Sequence, residues 1–86
     1  MYEILTIEKR KGLFCEGLTA VVKIGQQHYL FDLRDTPDCG HECMAFLCNV
    51  KGDVRLWRDV YCRTGLPITV AALQECIQEF AEEMEK

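Results

Sequence analysis

Two short runs of β-branched and aromatic residues constrain the fold of this chain most strongly. The runs, residues 18–24 and 28–34, are separated by Gly25-Gln26-Gln27. Two such runs joined by a short loop that contains glycine predict a β-hairpin. Successive side chains of a strand point to opposite faces, so alternate residues of both arms are expected to face a common core. These residues are Ala20, Val22, Ile24, Tyr29, Phe31 and Leu33.

A single helix is predicted at about residues 69–85. Apolar residues recur there at helical spacing, which is typical of a helix that covers one face of a sheet. Thr69 is a suitable N-cap, because its side chain can accept a hydrogen bond from a free amide of the first turn. Ile68 and Leu73 have the spacing of a hydrophobic staple across the start of the helix.

The whole chain, residues 1–86, is predicted to form one domain of the α+β class. A first strand is expected at residues 2–7 and a charged turn at residues 8–12. Short connections favour antiparallel neighbours, so four or five strands within residues 2–63 would form an antiparallel meander sheet. The helix packs on one face of this sheet, and the other face is expected to be polar, small or paired with another copy.

The acidity of the chain is confined to residues 75–86. This segment contains five glutamates and one lysine, whereas residues 1–74 contain nine acids and nine bases, so the net charge of −4 comes from it alone. Nucleic acids and anionic membranes attract a positive field, and the charge balance argues against both as partners. No membrane-spanning run and no signal peptide is recognised, so a cytoplasmic location with reduced cysteines is expected.

A cluster of cysteines and one histidine near the middle of the chain is a candidate metal site. Its residues, Cys39, His41, Cys43 and Cys48, are of types that zinc accepts. In an extended strand, alternate side chains lie about 6.6 Å apart, whereas ligands of one zinc lie within about 4 Å of each other. A turn at Gly40 would be needed, so no cofactor is predicted and a zinc-stabilised domain is kept as the alternative.

The cysteines allow two further interpretations. Free cysteine is one of the most frequently buried residue types, so a role in the apolar core is expected. The residues expected to be buried for this reason are Cys15, Cys43, Cys48, Cys62 and Cys76. A thiol-dependent enzyme would need an activated cysteine, and Cys39 with His41 or His28 as its base is the candidate pair.

Residues 55–63 interleave basic and aromatic side chains, a composition typical of a protein–protein hot spot. The predicted partner-binding residues are Arg55, Trp57, Arg58, Tyr61 and Arg63. Strand alternation predicts that all of them except Arg58 share one face, and Trp57→Ala is expected to weaken binding with little loss of fold. A solvated sheet face with cation–π pairs and a nucleic-acid surface are the alternative interpretations.

The sequence contains no pattern that predicts catalysis. A glycine-rich phosphate loop, a dinucleotide fingerprint and a Ser-His-Asp arrangement are all missing from it. We therefore predict a small non-catalytic protein-binding or regulatory accessory domain. Its partner is expected to be another protein or a second copy of the chain in a homodimer.

Overall fold

The structure is a computed structural model that describes residues 1–11, 16–36 and 40–85. This part of the chain contains β1 (Tyr2–Lys11), β2 (Glu16–Ile24), β3 (Gln27–Thr36), β4 (Gly40–Cys48), β5 (Val54–Thr64) and α1 (Val70–Met84). Each strand pairs antiparallel with the strand that precedes it, and the spatial order is β1-β2-β3-β4-β5. The predicted α+β class, with an antiparallel meander and one helix packed against it, is confirmed.

The predicted hairpin is the pair of strands β2 and β3. Its register places Ala20 opposite Phe31 and Val22 opposite Tyr29, and all six residues predicted to face the core are buried. Gly25 occupies the turn with a φ of +63°, a conformation that glycine adopts without a steric penalty. We call the sheet side that carries these six residues the helix face and the opposite side the open face.

Helix α1 lies on the helix face and completes the core. The side chain of Thr69 accepts a hydrogen bond from the amide of Ala72 at 3.1 Å, which confirms the predicted N-cap. Leu73 and Ile77 are fully buried. The ring of Phe80 has its centroid 5.0 Å from that of Tyr29 and 5.7 Å from that of Phe31, so α1 is anchored on β3 by an aromatic cluster.

Strand β1 is longer than the sequence predicted. The charged residues 8–11, predicted to form a turn with Gly12, continue the strand and pair with β2; Arg10, for example, lies opposite Gly17. The prediction was wrong because backbone hydrogen bonds to β2 do not depend on side-chain polarity, and charged side chains are well suited to an edge strand. Residues 12–15 lie outside the described part of the chain.

The open face is partly covered by the connection between β4 and β5. Val21 and Phe46 lie on this face, yet they are 8% and 5% exposed. A Cβ atom on Gly52 would come within 2.9 Å of Val21 Cγ2, so the β4–β5 loop rests on Val21. The Trp57 ring covers Phe46, with 5.1 Å between the ring centroids. The chain therefore shields this half of its open face without a second helix.

An ion pair spans the other half of the open face. Arg10 on β1 reaches across β2 and donates a hydrogen bond to the carboxylate of Asp32 on β3, with 2.7 Å between Nη2 and Oδ1. The strand between them carries Gly17, which has no side chain to obstruct the arginine. An alanine Cβ at that position would lie 2.9 Å from the carbonyl oxygen of Leu33. The pair satisfies Asp32, which is 7% exposed, and links two strands that are not neighbours.

Candidate functional site

Strand β5, at one edge of the sheet, bows away from its neighbour β4. Phe46 lies opposite Asp59, and Cys48, two residues further along β4, lies opposite Val54. Four residues of β5, 55–58, therefore occupy the stretch that faces the single residue Leu47. Such an insertion is larger than the usual bulge of two residues against one, and it bends the strand and removes local pairing with its partner. We call residues 54–60 the bowed segment.

The bowed segment exposes apolar side chains on both of its faces. All six residues from 55 to 60 are exposed, including Leu56 at 69%, Trp57 at 68% and Val60 at 49%. Edge strands of proteins that act alone are usually short, or protected by charges, prolines or a covering element. Arg55, Arg58 and Asp59 supply such charges here, yet the apolar side chains between them remain exposed. Exposed apolar side chains that cluster in one place are typical of a surface that another chain covers.

Two adjoining depressions lie beside the bowed segment. The first has a volume of about 400 Å³, a mainly apolar lining that includes Leu56, and Arg55 and Arg58 at its wall. The second has a volume of about 350 Å³ and lies over Phe80 and Met84 at the end of α1. Gln27, Leu47 and Val60 line both depressions. We call the four exposed apolar side chains Leu47, Leu56, Val60 and Met84 the apolar surface.

The predicted partner-binding residues do not share one face. Ala45 lies opposite Tyr61, but the next residue of β4, Phe46, lies opposite Asp59, so Val60 is an additional residue in β5. An additional residue reverses the alternation of side chains beyond it. Trp57 therefore lies on the open face and Tyr61 on the helix face, and the expectation that they share a face was wrong.

Tyr61 and Arg63 are already engaged within the chain. The Tyr61 hydroxyl donates to Glu79 Oε1 at 2.8 Å, and Arg63 Nη1 donates to Glu79 Oε2 at 3.1 Å. Arg63 also lies 3.3 Å from a carboxylate oxygen of Glu75. Burial raises the pKa of Tyr61, and the hydrogen bond to Glu79 raises it further. These side chains hold α1 against β5, whereas Arg58 forms no ion pair with any residue that the structure describes.

The residues of the apolar surface were not identified from the sequence. Val54, Leu56, Val60 and Cys62 follow a two-residue period in the sequence, a pattern that also describes the core-facing side of an ordinary strand. Leu47 lies in an apolar run of β4 and Met84 in the apolar stripe of α1, and both patterns are typical of buried positions. No signal in the sequence distinguishes the four residues of the apolar surface from core residues, because their exposure results from the bulge and from the end of α1.

The structure does not bring the predicted metal ligands together. Cys39 lies outside the described residues. Cys43 is buried on the helix face, and Cys48 lies five positions further along β4 on the open face, a separation of about 17 Å at the rise of a strand. His41 Nδ1 hydrogen-bonds the carbonyl oxygen of Leu66 at 2.6 Å. In the described ranges, no group of three or more His, Cys, Asp or Glu side chains is placed to hold a metal ion.

The environments of Cys43 and Cys48 oppose activation of their thiols. Burial raises the pKa of Cys43, and the neighbouring thiol of Cys76 raises it further. Cys48 lies opposite His28 in the register, but burial and the carboxylate of Asp53 raise its pKa as well. A nucleophilic thiol needs its pKa lowered. The pairing of Cys39 with a histidine remains a prediction, because Cys39 is not described.

The predicted burial of the cysteines is confirmed for two of them. Cys43 and Cys76 are fully buried, and Cys48 is half-buried. Cys62 is exposed, contrary to the prediction, because the additional residue in β5 moves it to the open face, where its thiol donates to Glu42 Oε1 at 3.2 Å. Cys15 lies outside the described residues.

These environments predict a strong contrast in alkylation by iodoacetamide near neutral pH. Cys62 is expected to react in the folded protein, whereas Cys43 and Cys76 are expected to react at least about 100-fold more slowly until the chain unfolds. Peptide mass spectrometry after timed labelling, with and without denaturant, measures each rate. Equal rates at Cys43 and Cys62 in the folded protein would contradict the buried placement of Cys43.

No helix in the described ranges has the length and apolar character that crossing a membrane requires. Compared with protein-family models, with curated proteins and with solved structures, the chain matches none of them.

Proposed function

We propose that this chain is a small non-catalytic protein-binding domain, and that it binds through the bowed segment of β5 and the apolar surface beside it. The observation that carries the proposal is the exposure of Leu56 and Trp57, each more than two-thirds exposed on opposite sides of one edge strand. Burying such side chains against a partner contributes roughly 25 cal/mol for each square ångström of apolar surface removed from water.

The chemistry of the surface suits a protein partner. Its apolar centre is flanked by Arg55 and Arg58, and Trp57 lies on the other face of the same segment. Arginine and tryptophan are enriched in binding hot spots. The depressions provide recesses that a partner's side chains can fill. The outer edge of β5 can also pair with an extended segment of a partner, since β5 is the last strand of the sheet.

The same proposal includes two further properties: the domain is non-catalytic, and it is located in the cytoplasm. The raised pKa values of Cys43 and Cys48 oppose thiol chemistry at these positions. The cysteines that the structure describes are thiols and not disulfides, as expected in a reducing compartment.

The proposal is tested with a charge placed in the apolar surface. Leu56→Glu is expected to reduce partner binding at least about tenfold, because a carboxylate would have to be desolvated in the interface. Trp57→Ala is less suitable than the sequence suggested, because Trp57 covers Phe46 and its loss would also destabilise the fold. Leu56 covers no buried ring, so its replacement is expected to change the free energy of unfolding by less than about 1 kcal/mol.

Val70→Glu provides the matched control. Val70 is 44% exposed in the first turn of α1, away from the apolar surface, and a glutamate near a helix N-terminus is well tolerated. Proteins captured from an extract of the source cells are quantified by mass spectrometry for the unmodified chain and both variants. A partner retained by Val70→Glu and lost with Leu56→Glu supports the proposal; identical capture by all three contradicts it.

A further inference from the structure

The apolar surface lies between a cationic and an anionic side chain. On the β5 side, Arg58 lines the first depression. On the α1 side, Glu75, Glu79 and Glu83 form a row, since residues four positions apart lie on the same side of a helix. Glu75 and Glu79 contact Arg63 of β5, and helical spacing places Glu83 on the same side of α1. Glu83 is the last glutamate of this row, and Met84 of the apolar surface is the next residue in the sequence.

Arg58 and Glu83 are charged groups without a counterion in the described part of the chain. Neither forms an ion pair there, although the first two glutamates of the row do. The apolar side chains Val60 and Met84 separate them, because Val60 lines both depressions and Met84 lines the one over α1. Arg55 and Asp53 also line the first depression, and their charges offset each other. The β5 side of the apolar surface is thus net positive through Arg58, and Glu83 gives the α1 side a negative charge.

We propose that a second copy of this chain covers the apolar surface, in a two-fold symmetric homodimer that pairs Arg58 of each copy with Glu83 of the other. The inference rests on the proposed function of this surface in protein binding. Leu47 and Val60 line both depressions and lie at the middle of the surface. A two-fold axis that passes through these two residues places the first depression of one copy over the second depression of the other.

This arrangement matches both shape and charge. Leu56, beside the first depression, faces Met84 of the second copy, so apolar side chains meet apolar side chains. Arg58 faces Glu83 of the second copy, and the same contact occurs twice because a two-fold interface uses identical patches. A stable interface buries about 800 Å² on each partner, about one seventh of the 5790 Å² accessible surface of the chain. The apolar surface and its charged flanks would therefore be covered together.

Two charge-reversed variants test the pairing by sedimentation velocity and light scattering at low salt. Arg58→Glu places two glutamates opposite each other, and Glu83→Arg places two arginines opposite each other. Each variant alone is expected to dimerise at least about tenfold more weakly than the unmodified chain, because like charges oppose each other at both contacts. An equimolar mixture of the two variants is expected to recover the dimer, since both contacts then join opposite charges.

Glu82→Arg is the matched control. It makes the same change of charge one residue away, on the part of α1 where Glu82 accepts a hydrogen bond from Gln78, and is expected to leave the dimer intact. Three results would overturn the inference: the unmodified chain is monomeric at about 100 μM, either single variant dimerises as tightly as the unmodified chain, or the equimolar mixture stays monomeric. A monomer that still captures another protein through Leu56 overturns the homodimer alone. A monomer that captures nothing overturns the proposed function as well.

Discussion

Replacing Phe80 with alanine is expected to lower the free energy of unfolding by about 3–5 kcal/mol. Phe80 is 5% exposed, and its ring centroid lies 5.0 Å from that of Tyr29 and 5.7 Å from those of Phe31 and Tyr61. The substitution leaves a cavity where α1 contacts both β3 and β5. A domain of this length is typically stable by about 4–13 kcal/mol, so the variant is expected to be partly unfolded near body temperature.

Urea unfolding followed by circular dichroism measures this effect. Phe80→Leu keeps most of the apolar volume and is expected to lose less than half as much stability. Val70→Ala, in the same helix but 44% exposed and away from the apolar surface, is expected to cost less than about 1 kcal/mol. A loss below about 1.5 kcal/mol for Phe80→Ala would show that α1 is not anchored through this ring.

Raising the pH from 8 to about 11 is expected to destabilise the protein more than the loss of surface charge pairs explains. The pKa of the Cys43 thiol is raised in the folded chain, chiefly by burial. Below the pKa of the unfolded thiol, about 9, both states are protonated and this group does not oppose folding. Above it, the unfolded state releases a proton that the folded state retains, so stability falls by about 1.4 kcal/mol for each further pH unit.

Cys43→Ala isolates this contribution, because alanine cannot titrate. The free energies of unfolding of both proteins are measured by urea titration between pH 8 and about 11, and the two slopes against pH are compared. The variant is expected to start from a lower stability, since it has lost the buried sulfur. Between pH 8 and about 11 its free energy of unfolding is expected to fall by about 2–3 kcal/mol less than that of the unmodified chain. Parallel curves would place the titrating thiol outside the core.

The hairpin and the helix were predictable because their signals are local. The β2–β3 hairpin is specified by alternation on both arms and by a glycine at the turn, and helix α1 by Thr69 and by its apolar stripe. Each of these signals lies within about twenty residues of sequence and does not depend on the rest of the fold. Both elements, and the core residues that alternation assigned, are confirmed.

The shape of β5 was not predictable, because it depends on register with β4. A period of two assumes an unbroken strand, and neither the additional residue at Val60 nor the outward bow at 55–58 has a glycine or proline to mark it. One additional residue was enough to separate Trp57 from Tyr61 and to expose Cys62. The binding site predicted at residues 55–63 and the site proposed from the structure share strand β5, whereas the apolar surface beside it could be recognised only from the fold.

The order of the strands in the sheet has a consequence for synthesis on the ribosome. Every strand pairs with the one made immediately before it, so the sheet can assemble progressively as the chain emerges, with short loops to close at each step. Helix α1 is made after all five strands. Until α1 emerges from the ribosome, the rings of Tyr29 and Phe31 are exposed to solvent in the nascent chain. Chaperones can bind the helix face of the sheet during this interval.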